Sequence, residues 1–315
     1  MPTYQLFGIR LRSDFPFASR MVCSDGPAEV ALEAASAAPP DEAASAVYES
    51  PYRLPDGRTQ LSLEARSSGD VFTVTDVARF CVSAERIGYE LLDETQPHAI
   101  EILTLGTVMS LWLERRGLPA LHAAAVVAPS GALGFLATNK GGKTSLAASL
   151  MQLGHPLLSD DILPLEVAPG GVCARPGYPQ MRLWPDQAQH FLGSAEGLEI
   201  VHPDFDKRRI PVGAGGFGDF HAGTAPLRAL YLPERGGERV EIETLPLGAA
   251  VMALIEHSFL LGMPEAMGLE AARFGRFAQL ARRVPVSRLR YPDGVEHLPR
   301  VRDALLEHAA KTAAA

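Results

Sequence analysis

The stretch from Gly134 to Ala148 constrains the fold more than any other part of this sequence. Gly134-Phe-Leu-Ala137 is a short apolar run with strand character, and residues 137–144 read Ala-Thr-Asn-Lys-Gly-Gly-Lys-Thr. The small and apolar residues that follow, Ser145 to Leu153, are typical of a helix. A strand, a glycine-containing loop that ends in Gly-Lys-Thr, and a helix together form the context of a phosphate-binding loop.

The side chains and the backbone of this loop suit a phosphate chain. Loop N–H groups and the helix N-terminus point at an anion, and Lys143 adds a positive charge. The hydroxyl of Thr144 suits a Mg²⁺ ion shared with the phosphates. The residues predicted to contact the nucleotide are Thr138, Asn139, Lys140, Gly141, Gly142, Lys143, Thr144 and Ser145.

Two positions of the loop depart from the usual pattern. Ala137 replaces the first glycine, and Lys140 stands where an additional glycine often helps the turn. A non-glycine residue at positive φ is uncommon, so either Gly141 takes the left-handed position or the loop differs in shape. Lys140 either adds charge near the phosphates or is a solvated lysine.

Composition indicates a globular protein and argues against a nucleic-acid binder. The chain has 315 residues, of which 47% are hydrophobic and 21% charged, as in a globular protein of one large domain or two ordinary ones. Its net charge of −8 and its short basic cluster, Lys207-Arg208-Arg209, argue against a nucleic-acid partner.

Cysteine usage and hydropathy predict a cytoplasmic protein. Three widely separated cysteines, Cys23, Cys81 and Cys173, show neither a disulfide framework nor zinc-ligand spacing. The N-terminus lacks the apolar core of a signal peptide, and no apolar run approaches the length of a membrane span. We therefore expect no membrane partner.

Residues 1–96 are predicted to form a β-rich module. Alternation of apolar and polar residues indicates half-buried strands, and Pro55-Asp-Gly57 and Ser67-Ser-Gly-Asp70 indicate turns between them. Residues 34–46 are low in complexity and predict a surface loop. The predicted strands are Tyr4–Arg12, Gln60–Arg66, Val71–Val74 and Ala78–Ser83.

Residues 97–315 are predicted to form an α/β domain, because short strands alternate with helices after residue 120. Ile100–Arg116 predicts a helix ended by Gly117. The predicted strands of this part are 120–127, 157–166, 226–232 and 239–245, the last two paired with each other, and the further helices begin near 185 or lie near 247–258, 268–283 and 298–312.

Asp160 and Asp161 are catalytic candidates, one to hold Mg²⁺ together with Thr144 and the other to take the proton of an acceptor hydroxyl. Two adjacent acids in the apolar run Leu157–Glu166 are costly to bury unless a cation compensates them. Successive side chains of a strand point to opposite faces, so only one of the two is expected to face the nucleotide. Alternatively, the pair caps a turn before Ile162.

The remaining polar candidates each have a structural alternative. His122 lies in an apolar strand, where a histidine is either a satisfied core residue or part of a pocket. Four cations could steady developing phosphate charge or could be surface charges pairing with Asp204 and Asp206. These cations are Arg182, Lys207, Arg208 and Arg209. Cys173 and Trp184 are most simply core residues.

The chain resembles the kinase domain of HPr kinase/phosphorylase over residues 118–166. The resemblance rests on His122, the phosphate-binding loop and Leu-Gly-His-Pro-Leu-Leu-Ser-Asp-Asp at residues 153–161. It implies an α/β, phosphoenolpyruvate-carboxykinase-like P-loop kinase core in residues 97–315 behind a β-rich N-terminal domain. It also implies that His122 lies near the transferred phosphate, that Lys143 is catalytic, that Asp160 is a general base, and that Thr144 and Asp161 hold the metal.

Within that family the chain looks similar to the kinases encoded with lasso-peptide biosynthesis enzymes. Residues 4–14, 176–185 and 206–209 carry this likeness. It implies phosphorylation of a serine hydroxyl, often the C-terminal one, of a ribosomally made precursor peptide, with ATP or GTP and Mg²⁺. The glycine-rich signature that follows the core of HPr kinases is missing, so HPr as substrate and phosphorylase activity are not implied.

Two other functions use the same features. The chain could phosphorylate a small-molecule hydroxyl, or it could be a regulator whose altered loop binds a nucleotide without turnover. The expected partners are a nucleotide and a peptide or protein with an acceptor serine. Because hexamers occur in the related family, a homo-oligomer is also open.

Overall fold

The computed structural model describes residues 1–35, 43–44, 46–138, 140–202, 205–260 and 262–314. Most of the predicted loop at 34–46, the predicted nucleotide contact Asn139 and the predicted ion-pair partner Asp204 lie outside these residues. The chain is a mixed α/β protein of two compact units. The first comprises Met1–Pro119 and Phe259–Arg273, and the second comprises Ala120–Ser258 and Phe274–Ala315.

Strands and helices are numbered in chain order. The strands are β1 Thr3–Leu6, β2 Ile9–Ser13, β3 Val22–Cys23, β4 Val30–Ala34, β5 Ala46–Glu49, β6 Leu61–Arg66, β7 Gly69–Val74, β8 Ala78–Val82, β9 Arg86–Leu91, β10 Ala120–Ala128, β11 Gly131–Leu136, β12 Leu157–Ser159, β13 Ile162–Ala168, β14 Gly171–Ala174, β15 Gln180–Leu183, β16 Ile200–His202, β17 Phe205–Pro211, β18 Ala225–Arg235, β19 Glu241–Thr244 and β20 Val286–Tyr291. The helices are α1 His98–Leu103, α2 Met109–Arg115, α3 Lys143–Met151, α4 Pro185–Leu192, α5 Leu247–Glu256, α6 Met263–Ala266, α7 Glu270–Arg283 and α8 Leu298–Ala314, with a π-helical segment at Thr104–Val108 and a 3₁₀ turn at Val295–His297.

The first unit is built on one sheet, in the order β3-β1-β2-β4-β9-β8-β7-β6-β5. Strands β5 to β9 form an antiparallel meander, of which the alternating pattern predicted the three central strands but neither β5 nor β9. Leu63, Phe72 and Phe80 are fully buried on these strands, and Phe72 and Phe80 are direct cross-strand partners. Paired aromatic side chains of this kind stabilise neighbouring strands.

The predicted single strand Tyr4–Arg12 is instead a hairpin. Strands β1 and β2 pair through Leu6 and Ile9, and Phe7 and Gly8 between them have φ values of 53° and 69°. Positive φ at both central residues is the mark of a two-residue type I′ turn. The alternation did not show the turn, because Leu6 and Ile9 face each other and so keep apolar residues on one face.

The helix predicted at Ile100–Arg116 belongs to the first unit, and the boundary falls after Pro119, not at residue 96. The predicted single helix is instead two helices, α1 and α2, joined across a kink in the π-helical segment, where Gly106 has non-helical φ and ψ of −111° and −110°. Side-chain hydrogen bonds connect this helical segment to other residues of the first unit. Trp112 Nε1 donates to the Ala84 carbonyl at 3.0 Å, and Arg115 Nε donates to Asp70 Oδ2 at 2.8 Å.

The main sheet of the second unit runs β11-β10-β13-β14-β18-β20-β19, with β12 paired to β10. Because β18 also pairs in parallel with β11, the strands from β11 to β18 close into a small barrel. The predicted pairing of 226–232 with 239–245 is wrong, since β20 lies between β18 and β19. A separate sheet has the order β15-β17-β16.

Two apolar clusters hold the second unit together. One joins β10 and β11 to α3, α4 and α8 through residues that include Val126, Phe135, Leu146 and Leu305. The other joins the opposite side chains of the same strands to α5 and to the part of α7 that carries Phe277. Strands β10 and β11 are therefore covered on both faces, as their nearly continuous apolar sequence requires.

Among the helices of the described residues, none combines the length and the hydrophobicity needed to cross a bilayer.

Candidate functional site

The loop between β11 and α3 has the two left-handed residues that its shape requires. Lys140 has φ of 62° and Gly142 has φ of 92°. Gly141 does not take the left-handed position, contrary to one of the two alternatives drawn from the sequence. Its glycine is needed for space instead, because a Cβ at Gly141 would lie 2.4 Å from the Cβ of Ala137.

Lys143, the first residue of α3, folds back across the loop. Its Nζ donates to the carbonyl oxygen of Ala137 at 2.6 Å and to that of Thr138 at 3.3 Å, and the residue is 7% exposed. Burial lowers the pKa of the Lys143 ammonium, and the charges of Asp161 and Asp160 oppose this shift. The ammonium group thus lies at the loop, where it can pair with a phosphate.

The N-terminus of α3 is open to an anion. Within the described residues no side chain caps it, and its N-cap is the left-handed Gly142. The first N–H groups of a helix have no partner inside the helix, and the helix dipole adds partial positive charge there. This is the arrangement that binds phosphate at strand–loop–helix units.

Both aspartates line the same pocket, because the predicted strand 157–166 breaks between them. Asp161 has φ of 78°, and this left-handed residue separates β12 from β13. The expectation that only one acid would face the nucleotide assumed an unbroken strand. The pair interrupts the strand before Ile162, as the alternative of a turn had suggested.

Asp160 is hydrogen-bonded to the first turn of α3 and to the backbone of β15. Its Oδ1 accepts from Thr144 Oγ1 at 3.0 Å, and its Oδ2 accepts from the Arg182 backbone N–H at 2.9 Å. Burial, followed by the charge of Asp161, raises the pKa of Asp160, although both hydrogen bonds act in the opposite direction. Asp160 is therefore the carboxyl of this pair that gains a proton more readily.

Asp161 contacts the guanidinium group of Arg182 and the imidazole ring of His122. Its Oδ1 lies 3.1 Å from His122 Nε2, and its Oδ2 accepts from Arg182 Nη1 at 2.8 Å. Burial alone would raise the pKa of Asp161, but Arg182 and the hydrogen bond to His122 outweigh it and lower the pKa. Asp161 thus stays ionised at neutral pH and fixes the ring of His122.

One pocket gathers these groups with an excess of positive charge. The excess is two positive charges, which suits a polyanionic ligand. It is the difference between four cations and two carboxylates, namely Lys140, Lys143, Arg182 and Lys207 against Asp160 and Asp161. The lining residues are His122, Lys140, Gly141, Gly142, Lys143, Thr144, Ser145, Asp160, Asp161, Arg182, Trp184, Gln187 and Lys207.

Trp184 lines this pocket and is not the core residue that the sequence suggested. The ammonium groups of Lys140 and Lys207 lie 4.9 Å and 5.6 Å from its ring centroid, within the range of cation–π attraction. A signal for its place was available, since Arg182 and Trp184 are two residues apart in an extended segment and therefore share a face.

Tyr178 and Gln187 were also missed. Arg182 Nη2 donates to the Tyr178 hydroxyl at 3.2 Å, and Gln187 lines the pocket from α4. Neither stands in a pattern that sequence alone could single out.

Three predicted residues lie elsewhere or act only through their backbone. Arg208 donates to the exposed Asp206 at 2.7 Å, as the surface-charge alternative predicted. Arg209 is buried on β17, opposite Arg182. Thr138 contributes its carbonyl oxygen to Lys143. Cys173 is half-buried.

The oxygens that could hold Mg²⁺ are those of Thr144 and Asp160, which lie 3.0 Å apart. Asp161, the predicted metal ligand, is already engaged by Arg182 and His122. Among the described residues no cluster of three His, Cys, Asp or Glu side chains could hold a metal by itself. A hydroxyl and one carboxylate nevertheless fit Mg²⁺, which in nucleotide enzymes takes one or two protein ligands together with phosphates and water.

Comparisons with known proteins add little to this geometry. No protein-family model matches the sequence, and no curated protein matches it. A solved structure of the HPr(Ser) kinase/phosphatase from Coxiella burnetii matches at 12% identity with a TM-score of 0.32, covering 61% of this chain and 97% of that one. A score this low does not establish a shared fold.

Proposed function

We propose that this protein is a nucleotide-dependent, Mg²⁺-dependent kinase that transfers a γ-phosphoryl group to a serine hydroxyl of a ribosomally made precursor peptide. The observation that carries the proposal is a phosphate-binding loop whose Thr144 is hydrogen-bonded to Asp160, the residue that follows the end of β12. This pairing of loop hydroxyl and strand-end carboxylate is the metal-holding arrangement of P-loop enzymes. The lasso-peptide class of acceptor rests on the sequence resemblance alone.

The loop binds the nucleotide that donates the phosphoryl group. The amides at the N-terminus of α3 and the ammonium of Lys143 bind the phosphate chain, and Thr144 and Asp160 hold the metal. When bound, Mg²⁺ supplies charge neutralisation of the phosphates. The two excess positive charges of the pocket favour the same polyanion.

Asp161 orients the acceptor hydroxyl in this proposal. This assignment reverses the roles that the resemblance implied for the two aspartates. Asp160 is hydrogen-bonded to Thr144, whereas Asp161 is held ionised by His122 and Arg182. Because phosphoryl transfer has a loose transition state, a fixed carboxylate that accepts a hydrogen bond from the attacking hydroxyl acts mainly through positioning. Arg182 in turn stabilises negative charge that develops on the phosphate.

The test is mass spectrometry of a candidate precursor peptide after incubation with the protein, ATP or GTP, and Mg²⁺. We expect a mass gain of one phosphoryl group, lost when the acceptor serine of the peptide is changed to alanine. A gain that persists in the Ser→Ala peptide would contradict serine as the acceptor. A gain on small-molecule alcohols but on no peptide would replace the peptide class with a small-molecule acceptor.

A second candidate is a regulator that binds a nucleotide without turnover. It is favoured by Lys140, a non-glycine residue at φ of 62° in the loop. Tight nucleotide binding without phosphate release, across a panel of hydroxyl acceptors, would support this function and exclude the kinase.

A further inference from the structure

The backbone of Lys140 is held from outside the phosphate-binding loop. Arg235, the last residue of β18, donates from Nη2 to the Lys140 carbonyl oxygen at 2.9 Å. Its other terminal nitrogen, Nη1, lies 3.5 Å from Asp293 Oδ1. The guanidinium group thus joins the loop to Asp293, which lies 293 − 140 = 153 positions further along the chain.

Lys140 is the residue of the loop that most needs such a contact. Its φ of 62° is disfavoured for any residue with a Cβ, whereas glycine adopts it freely. A conformation of this kind persists only where its surroundings enforce it. The carbonyl of Lys140 is bound by Arg235, and its ammonium lies over Trp184.

The same end of the sheet also contacts the second left-handed residue of the loop. Tyr291 pairs with Arg235 in the parallel register of β18 and β20. The Tyr291 hydroxyl lies 2.8 Å from the place where a Cβ on Gly142 would be. The ends of β18 and β20 therefore lie against both positions that give the loop its shape.

We infer that Arg235 is a positioning residue that holds the loop in its anion-binding shape, in place of the glycine that the loop lacks at position 140. The inference rests on the proposed nucleotide-binding function of the loop. It predicts a specific dependence: Arg235 matters only while residue 140 carries a Cβ.

The experiment measures ATP affinity, with Mg²⁺ present, for Arg235→Ala in three backgrounds. In the wild-type and Lys140→Ala backgrounds, we expect Arg235→Ala to weaken binding roughly three- to tenfold, the range of an ordinary net hydrogen bond, because this bond is exposed to solvent. In the Lys140→Gly background we expect less than about a twofold effect, since glycine needs no support. Lys140→Ala separates loss of the lysine charge from loss of the Cβ.

Arg239→Ala is the matched control. Arg239 follows the same strand end, is exposed and pairs with Glu241 at 2.7 Å, so its removal costs the same charge without touching the loop. We expect its ATP affinity to stay within about twofold of wild type. An equal loss from Arg235→Ala in all three backgrounds, or an equal loss from Arg239→Ala, would show a general charge effect and overturn the inference.

Hydrogen exchange at the Gly141 amide provides a readout that needs no nucleotide. This N–H donates to the Thr138 carbonyl at 3.1 Å. Arg235→Ala should speed its exchange in the wild-type and Lys140→Ala backgrounds but not in Lys140→Gly. Exchange that is unchanged in the wild-type background would overturn the inference, even if the protein proves to be a kinase. Faster exchange in a protein that transfers no phosphoryl group would support the inference and sink the proposed function alone.

Discussion

At the scale of single residues, the site depends on two adjacent carboxylates with opposite electrostatic surroundings. Asp160 is buried beside another acid, which raises its pKa, whereas Asp161 contacts Arg182 and His122, which outweigh burial and lower its pKa. Environments that separate the pKa values of neighbouring acids are typical of sites where the two acids have different tasks. This supports a metal-linked Asp160 and an orienting Asp161.

Lys143→Ala and Asp160→Asn are each expected to abolish phosphoryl transfer. Lys143→Ala removes the loop cation, and Asp160→Asn removes the charge beside Thr144, so each should lower kcat/KM by about a hundredfold or more. Peptide mass spectrometry with a time course measures the loss. Lys311→Ala, which removes an exposed cation paired with Glu307, is the control and should match wild type. Near-normal transfer by either site variant, with folding intact, would refute the assignment.

Asp161→Asn is expected to destabilise the protein in a pH-dependent way. The folded-state pKa of Asp161 is lowered, so its contribution is present above the unfolded pKa near about 3.9 and is lost as the pH falls through the folded value. At pH 7 we expect the variant to lose about 1–3 kcal/mol of unfolding free energy. The difference from wild type should shrink on acidification below about pH 4.

Thermal denaturation of wild type and Asp161→Asn from neutral to acidic pH tests this sign. The matched control is Asp206→Asn, because Asp206 is 62% exposed and its pair with Arg208 is screened by water. A difference that grows on acidification would contradict the assigned charge state of Asp161.

At the scale of elements, the phosphate-binding loop is shaped by one tight contact between its two ends. Ala137, at the usual position of the first glycine, brings its methyl group against Gly141. The missing first glycine thus makes glycine obligatory four positions later. In this loop glycine is therefore required at position 141 and not at position 137.

Gly141→Ala is expected to weaken ATP binding by at least about tenfold, because its Cβ would lie 2.4 Å from that of Ala137. Ala137→Gly removes the obstructing methyl group, so the double variant should recover part of the affinity. The recovery is partial, since the new Cβ would still lie 3.0 Å from the Thr138 carbonyl oxygen. Equilibrium titration of the four proteins gives the coupling energy. Strictly additive losses would contradict the contact.

At the scale of the whole molecule, the candidate site and the long sheet belong to different units. Every residue that lines the phosphate pocket belongs to the second unit, whereas the first unit contains a long sheet and the helix with Trp112. Trp112 is 1% exposed and donates to the Ala84 carbonyl. Substitutions in the core of the first unit should therefore change stability without changing nucleotide binding.

Trp112→Phe is expected to lower the unfolding free energy of the first unit by about 1–3 kcal/mol, through the unpaired carbonyl and the lost ring volume. ATP affinity measured well below the melting temperature should stay within about twofold of wild type. Thermal denaturation and ATP titration on the same preparation check both statements. A large loss of affinity in the folded variant would show that the first unit shapes the pocket.

Local sequence determined the strand, loop and helix around Lys143, the strand-rich first unit and the helices near 247–258, 268–283 and 298–312. These features depend on the period of apolar residues and on glycine within a few positions, which a sequence displays directly. Adjacent acids in an apolar run indicate Asp160 and Asp161 as candidates, whereas only the family resemblance singles out His122. The contacts of these three residues are not encoded in the local pattern.

Only the tertiary structure decided which way those side chains face. Asp161 takes a left-handed conformation that places both aspartates in one pocket, and Trp184 turns to the same pocket beside Lys207. Arg235 supports the loop from 95 positions away. Contacts across such distances follow from strand order and register, which local periodicity does not encode. For this reason the loop could be found from its sequence, whereas what holds it in shape could not.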